Sequence, residues 1–255
     1  MQKSLKERMN KRELTIGSWI TLSHPSIAEI LAKCGFDWLA IDMEHSAITI
    51  AEAQILICII ESAGIVPLVR VGNNDPYLIK RVMDAGAHGV IVPQVNSMED
   101  AEKAVAAIKY PPQGTRGVGL TRAQNYSMDF ETYRKWNQKN SVLIVLIENI
   151  KGVENLESIM SVKGVDAFIV GPYDLSGSLG CPGEFNNPKV KEALKKIYKT
   201  SKKNNYLMGQ HIVAPDPKIV NSKIKEGYRL IGFGTDFLFL NVFCQKTLAE
   251  IKRSV

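Results

Sequence analysis

The chain has 255 residues, 45% of them hydrophobic and 23% charged, which suits one large α/β domain and excludes a disulfide-stapled mini-protein or a disordered chain. The formal charge of +6 admits an anionic partner. However, the lysines are spread over helical segments such as 190–203, and no basic run is interleaved with aromatics, so the charge reads as solvated surface, compatible with small anionic substrates and not with nucleic acid. The four cysteines form no C-x-x-C pair and are expected reduced, in the cytoplasm; the charged N-terminus has no apolar signal core, and the apolar run 55–60, flanked by Glu52 and Glu61, is too short to span a membrane.

In chain order, residues 16–22 read as a first strand, and Ser23-His24-Pro25 opens a helix that Gly35 stops. A second strand, 38–41, runs into Asp42-Met43-Glu44-His45, and a helix follows over 49–63. The third strand, 66–69, ends in Arg70; Asn74-Asp75-Pro76 caps the next helix. The fourth strand is 89–92, and Ser97-Met98-Glu99-Asp100 starts the helix after it. Residues 111–140 break the rhythm as an insertion, long enough within a compact domain to suggest function. The fifth strand, 142–147, runs into Glu148. After a helix-length segment the sixth, 167–170, runs into Gly171-Pro172-Tyr173-Asp174. A Lys-rich helix from Asn187-Pro188, a strand at 207–213, a helix at 215–227, a strand at 230–234 and a final helix N-capped by Asp236 complete the chain. Eight strands alternating with about eight helices, with no linker, predict a single-domain α/β fold, a (β/α)8 TIM barrel; an open doubly wound sheet is the competitor, but its Gly-rich first crossover is missing.

A barrel places residues just past the strand ends around one site, at the C-terminal edge of the sheet. Glu148 and Asp174 follow adjacent strands, and two converging carboxylates suggest a hard divalent cation. Alternation puts Leu68 with Arg70 on one face, and Ile144 and Leu146 with Glu148, so each row is apolar below and charged on top. Arg70 needs an anion, a ligand or one of these acids as partner. His45, beside Asp42, is a candidate general base whose imidazole that carboxylate could orient. No lysine lies in any predicted strand, which excludes a Schiff-base aldolase using one.

These residues resemble the HpcH/HpaI aldolases over nearly the whole chain, through Phe36-Asp37-Trp38, Ile41-Asp42-Met43-Glu44-His45, Arg70 with Asn74-Asp75-Pro76, the run Pro111-Pro112-Gln113-Gly114-Thr115-Arg116-Gly117-Val118-Gly119, Ile147-Glu148, and Gly171-Pro172-Tyr173-Asp174-Leu175-Ser176. The resemblance implies a metal-dependent lyase that reversibly cleaves a 4-hydroxy-2-oxo acid to pyruvate and an aldehyde through a metal-stabilised enolate. It implies a divalent metal (Mg²⁺, Mn²⁺ or Co²⁺) on Glu148 and Asp174. The substrate is a small-molecule 2-oxo acid bound against Gly171, Pro172 and the backbone N–H groups near Tyr173 and Asp174. Arg70 is implied at the enolate oxygen, and His45 as the group that moves the proton through metal-bound water. Asp84 is implied as support for His45. The predicted topology puts Asp84 at the opposite end of the barrel, so it would act on a neighbouring subunit's site, with Asp42 as the local alternative. The resemblance further implies a homo-oligomer, trimer or hexamer, and a C-terminal helix that can be exchanged between subunits. Three positions depart from the family pattern: Leu146 replaces a substrate-binding glutamine, Met43 a common glycine, and Tyr173 a common alanine. Oxaloacetate-type decarboxylation on the same site, and a non-catalytic ligand-binding barrel, are the alternative readings.

Overall fold

The computed structural model describes residues 4–252, in which eight parallel strands close into a barrel in chain order. The strands are β1 Thr15–Ile20, β2 Trp38–Asp42, β3 Val66–Arg70, β4 Gly89–Val92, β5 Val142–Ile147, β6 Ala167–Val170, β7 Met208–Ile212 and β8 Leu230–Thr235. Helix α1 (Leu5–Asn10) precedes the barrel. Around it run α2 Pro25–Ala32, α3 Ile50–Ser62, α4 Pro76–Asp84, α5 Met98–Ile108, α6 Phe130–Asn140, the short pair α7 Ile150–Glu154 and α8 Leu156–Ser161, then α9 Pro172–Ser178, α10 Pro188–Asn204, α11 Pro217–Glu226 and α12 Asp236–Lys252. The expected TIM barrel is the fold. The segment between β5 and β6 is two short helices rather than one, and the run Gly171-Pro172-Tyr173-Asp174 after the sixth strand opens a short helix.

Alternation along each strand divides the core in two. Leu68, Ile91, Ile144, Leu146 and Ile169 point into the barrel, while Val69, Val90, Val145 and Ile147 pack outward against the helices. Trp19 and Trp38 also fill the interior. They fit because the facing positions are glycines: a Cβ on Gly17 would overlap the Trp38 indole, and one on Gly232 would lie 2.7 Å from Trp19 Nε1.

Helix α1, which the sequence reading did not anticipate, closes the N-terminal end. Leu5 and Met9 enter the barrel's interior cluster, and a Ser4/Glu7 capping box starts the helix. Its cations meet two acids that precede strands. Lys6 pairs with Asp166, whose other oxygen accepts the Leu143 N–H at 2.9 Å. Arg8 pairs with Asp37, whose other oxygen accepts the Ile16 N–H at 2.7 Å. At the opposite end β1 stops at Ile20, two residues earlier than expected. The N–H groups of Thr21 and Leu22 donate to the Asp236 carboxylate at 2.7 and 2.8 Å. Asp236 is therefore corrected from an N-cap to the first residue of α12, with its side chain binding the end of β1.

The 111–140 insertion joins α5 to β5, which puts it at the N-terminal end of the barrel, away from this chain's strand C-termini. Arg116, its side chain buried, stacks over Tyr110 and Tyr133 (4.7 and 5.4 Å to the ring centroids) and donates to Asp84 Oδ1 at 2.6 Å. Glu61, at the end of α3, pairs with Arg122 and lies 3.0 Å from His88, whose ring packs on Trp136 at 4.9 Å. The His88 contact leads in holding the Glu61 carboxyl down at about 2, with burial opposing and Arg122 adding. The unfolded chain therefore takes this proton first, and the stabilisation is present above 4.5 and lost as pH falls toward 2. Urea midpoints of wild type and Glu61→Gln are expected to differ most near neutral pH and to converge through that acid window. A difference that does not change with pH would remove the ion pair from the account.

Candidate active site

The register of β2 and β3 sets Asp42 directly beside Arg70 at the C-terminal edge. The guanidinium binds the carboxylate as a fork, Nε to Oδ1 at 2.9 Å and Nη2 to Oδ2 at 2.6 Å. Burial would raise the Asp42 carboxyl, but Arg70 more than offsets it and holds the group below its usual range. Oδ1 also accepts the N–H groups of Glu44 (3.0 Å) and His45 (3.2 Å), so the same side chain shapes the turn after β2. Arg70 lies over the Trp19 ring, 4.6 Å from its centroid, and its Nη1 is 3.2 Å from Glu44 Oε2.

This arrangement corrects one expectation. Asp42 touches the backbone of His45 and not its imidazole. The acid near that ring is Glu44, with Oε2 3.7 Å from Nε2, and the His45 side chain is 60% exposed. Glu44 was passed over in the sequence although it sits inside the D-M-E-H run. Burial pushes its carboxyl up to about 7, with Asp42 and Asp174 adding and Arg70 opposing.

Across the barrel mouth, Glu148 follows β5 on the same face as Leu146 and is 3% exposed. Its Oε1 accepts the Gln94 N–H at 2.7 Å. Gln94, just past β4, has a left-handed φ of 53°, a backbone geometry that a non-glycine residue adopts only when its surroundings hold it there. Gly171 follows β6, and a Cβ there would lie 2.9 Å from Glu148 Oε2, so the close approach requires glycine. Burial pushes Glu148 up to about 7, Glu44 and Asp174 adding to the rise, with the Gln94 N–H and Arg70 opposing. Asp174 stands in the first turn of α9, which has Pro172 at its start and no side-chain cap on Gly171. The N–H groups of Tyr173 and Asp174 are thus at an uncapped helix start.

These groups surround a cleft of about 380 Å³ lined by Asp42, His45, Arg70, Glu148, Gly171, Pro172, Tyr173 and Asp174. Leu146, 2% exposed, lies at its floor beside Ile169, its Cα partner on β6. His211 forms part of one wall, 5.0 Å from Trp19, with Nε2 3.2 Å from Gly234 O; burial pushes it down to about 4, so its ring is neutral at neutral pH. Asp84 is not brought to this cleft. It lies at the far end of α4, paired with Arg116, which agrees with the expected topology.

The residues fit a divalent cation in an open site. Asp174 adds to the raised proton affinity of both Glu44 and Glu148, and Glu44 adds to that of Glu148, so negative charge is confined at this mouth where a cation would relieve it. Among the described residues no group of three or more His, Cys, Asp or Glu side chains is placed to hold a metal ion. Glu148 and Asp174 are the carboxylates of the cleft that would hold such an ion. Also among the described residues, no helix is long and apolar enough to cross a membrane, and the four cysteines are unpaired.

The family model for HpcH/HpaI aldolase/citrate lyase matches residues 15–241. The 5-keto-4-deoxy-D-glucarate aldolase of Escherichia coli is 32% identical over 248 residues, 97% of this chain and 96% of its own. The crystal structure of an HpcH/HpaI aldolase/citrate lyase family protein from Burkholderia cenocepacia is 33% identical, with a TM-score of 0.91 over 97% of this chain and 98% of that one. The crystal structure of the citrate synthase SbnG is 28% identical, with a TM-score of 0.87 over 99% of this chain and 99% of that one. The chain therefore belongs to the HpcH/HpaI aldolase/citrate lyase family, whose named aldolases are carbon–carbon lyases.

Proposed function

We propose that the protein is a divalent-metal-dependent aldolase that cleaves a 4-hydroxy-2-oxo acid to pyruvate and an aldehyde. The observation that carries this reading is the meeting, at one barrel mouth, of two acids, Glu148 and Asp174, with an arginine locked in place by Asp42. Glu148 and Asp174 would hold the metal, which supplies electrophilic charge at the keto oxygen when bound. The N–H groups of Tyr173 and Asp174, at the uncapped start of α9, receive the substrate carboxylate. Arg70 donates to the oxygen that becomes negative as the C3–C4 bond breaks; its fork on Asp42 fixes the guanidinium before that charge forms. His45, open to the cleft beside Glu44, takes the proton of the 4-hydroxyl, and C3 of the enolate is reprotonated to give pyruvate.

Subunit association belongs to the same proposal. Helix α12 buries only Asp236 and leaves Leu240, Phe243, Leu248 and Ile251 between 52% and 71% exposed, an apolar area that supports a homo-oligomer, trimer or hexamer, in which this helix crosses to a neighbour. Such packing would let Asp84 serve a neighbouring subunit's His45. Small 2-oxo acids in the cytoplasm are the expected setting.

Pyruvate release from a panel of 4-hydroxy-2-oxo acids, 5-keto-4-deoxy-D-glucarate included, is expected to stop with EDTA and return with Mg²⁺, Mn²⁺ or Co²⁺. Turnover indifferent to chelator would rule the metal out. Glu148→Ala is expected to lose metal binding in a direct titration. Arg70→Lys, which cannot form the fork, is expected to lower kcat about 10²–10³-fold while metal binding is retained. In sedimentation equilibrium the wild type is expected as a trimer or hexamer and Phe243→Lys as a smaller species; a monomeric wild type would sink the assembly.

A further inference from the structure

We infer that His211 gives the site a place for a hydroxyl on C3 of the 2-oxo acid, so that a 3-hydroxy-2-oxo acid, hydroxypyruvate being the smallest, serves as a donor beside pyruvate. The inference rests on the aldolase reading above and adds a second donor class to it.

The proton inventory of the ring is the first ground. Nε2 lies 3.2 Å from Gly234 O, and a carbonyl oxygen can only accept, so Nε2 carries a proton. Burial keeps the ring neutral at neutral pH, which leaves Nδ1 as a bare lone pair. Among the described residues Nδ1 has no partner: the bond to Gly234 is the ring's one hydrogen bond, and the Thr235 hydroxyl, on the neighbouring strand, is itself unpartnered. Nor is Nδ1 sealed in, since His211 lines the cleft. A bare imidazole nitrogen takes an O–H or N–H donor. It repels a carboxylate or keto oxygen, and an apolar substituent against it would leave it desolvated and unpaired.

Position is the second ground. Ile147, Val170 and Gln210 are Cα partners across β5, β6 and β7. The next residues, Glu148, Gly171 and His211, therefore form one row, and alternation turns it inward because Ile147 and Val170 pack outward. The middle member, Gly171, has no side chain to separate the acid from the imidazole. In the aldolase reading the keto carbon holds its oxygen toward Arg70, after β3, and its carboxylate toward the start of α9, after β6. Its third substituent, C3, is left to face the wall of β7, β8 and β1, where the His211 ring packs on Trp19 at 5.0 Å. That wall consists of strand residues of this chain, Trp19, His211 and Thr235, so its polarity is independent of what a neighbouring subunit adds above the mouth.

The test leaves the aldehyde out. Full-length enzyme with Mn²⁺ in heavy water exchanges the methyl hydrogens of pyruvate: a proton leaves C3 to give the enolate, and a deuteron returns to the same carbon. Hydroxypyruvate and 2-oxobutanoate, which carry a hydroxyl and a methyl of similar size on C3, are added as competitors of this exchange, so that binding is read apart from their own reactivity. Hydroxypyruvate is expected to compete at least about tenfold more tightly than 2-oxobutanoate, and to exchange its own C3 hydrogens. His211→Leu removes the acceptor at similar volume and is expected to bring the two competitors within about twofold of each other, a ratio in which any loss of folded enzyme cancels. Pyruvate exchange with equal or reversed competition in the wild type, a comparison that needs no variant, overturns the inference and leaves the aldolase reading standing. An unchanged ratio in His211→Leu overturns the role of the imidazole, and hydroxypyruvate that competes without exchanging overturns its place as a donor. No pyruvate exchange with any divalent metal overturns both the inference and the reading.

Discussion

The fork between Arg70 and Asp42 is the interaction on which the rest of the site depends. An arginine ending an apolar strand must meet an anion, and the in-register pairing of β2 with β3 provides one at the adjacent strand end. Asp42 does more than neutralise it. By accepting the N–H groups of Glu44 and His45 it also bends the chain after β2. One buried carboxylate therefore sets the position of a cation, of the acid beside that cation and of the imidazole. Removing it would leave the guanidinium without its main anion and the turn without its anchor, which costs more than the pair alone is worth.

On the opposite side of the mouth, position is set by backbone rather than by charge. The left-handed Gln94 aims an N–H at Glu148, and Gly171 lets the chain after β6 pass against the same carboxylate. Both contacts reach the Glu148 side chain from backbone rather than from a second charged side chain. The two halves of the cleft are thus built differently: an ion-paired half on β2 and β3, and a half held by close backbone approach on β4 to β6.

The strands were legible in the sequence because apolar runs of period two, stopped by charged or turn residues, carry that information locally; β4, β5 and β6 match their expected bounds. The row Ile144, Leu146, Glu148 could be read for the same reason, since alternation alone puts Leu146 and Glu148 on one face. Contacts that depend on register or on distant chain were not legible. Glu44 looked like one more polar residue in a turn, because its nearness to Arg70 follows from the pairing of β2 with β3. Asp236 looked like a helix cap, because the donors it serves lie 214 and 215 residues away. Helix α1 looked like a charged tail, since only the closed barrel shows that Leu5 and Met9 have an interior to enter and that Lys6 and Arg8 have acids to meet.

That closure by α1 affects the chemistry at the other end. With Leu5, Met9 and two tryptophans filling the barrel, the space beneath the charged residues is closely packed and largely apolar. Field lines from Arg70, Glu44 and Glu148 cannot be screened from below and leave through the cleft mouth, where solvent begins. The protein thus acts as an insulated base under a small array of charges, and an approaching anion meets that field along a single axis, before it touches any residue.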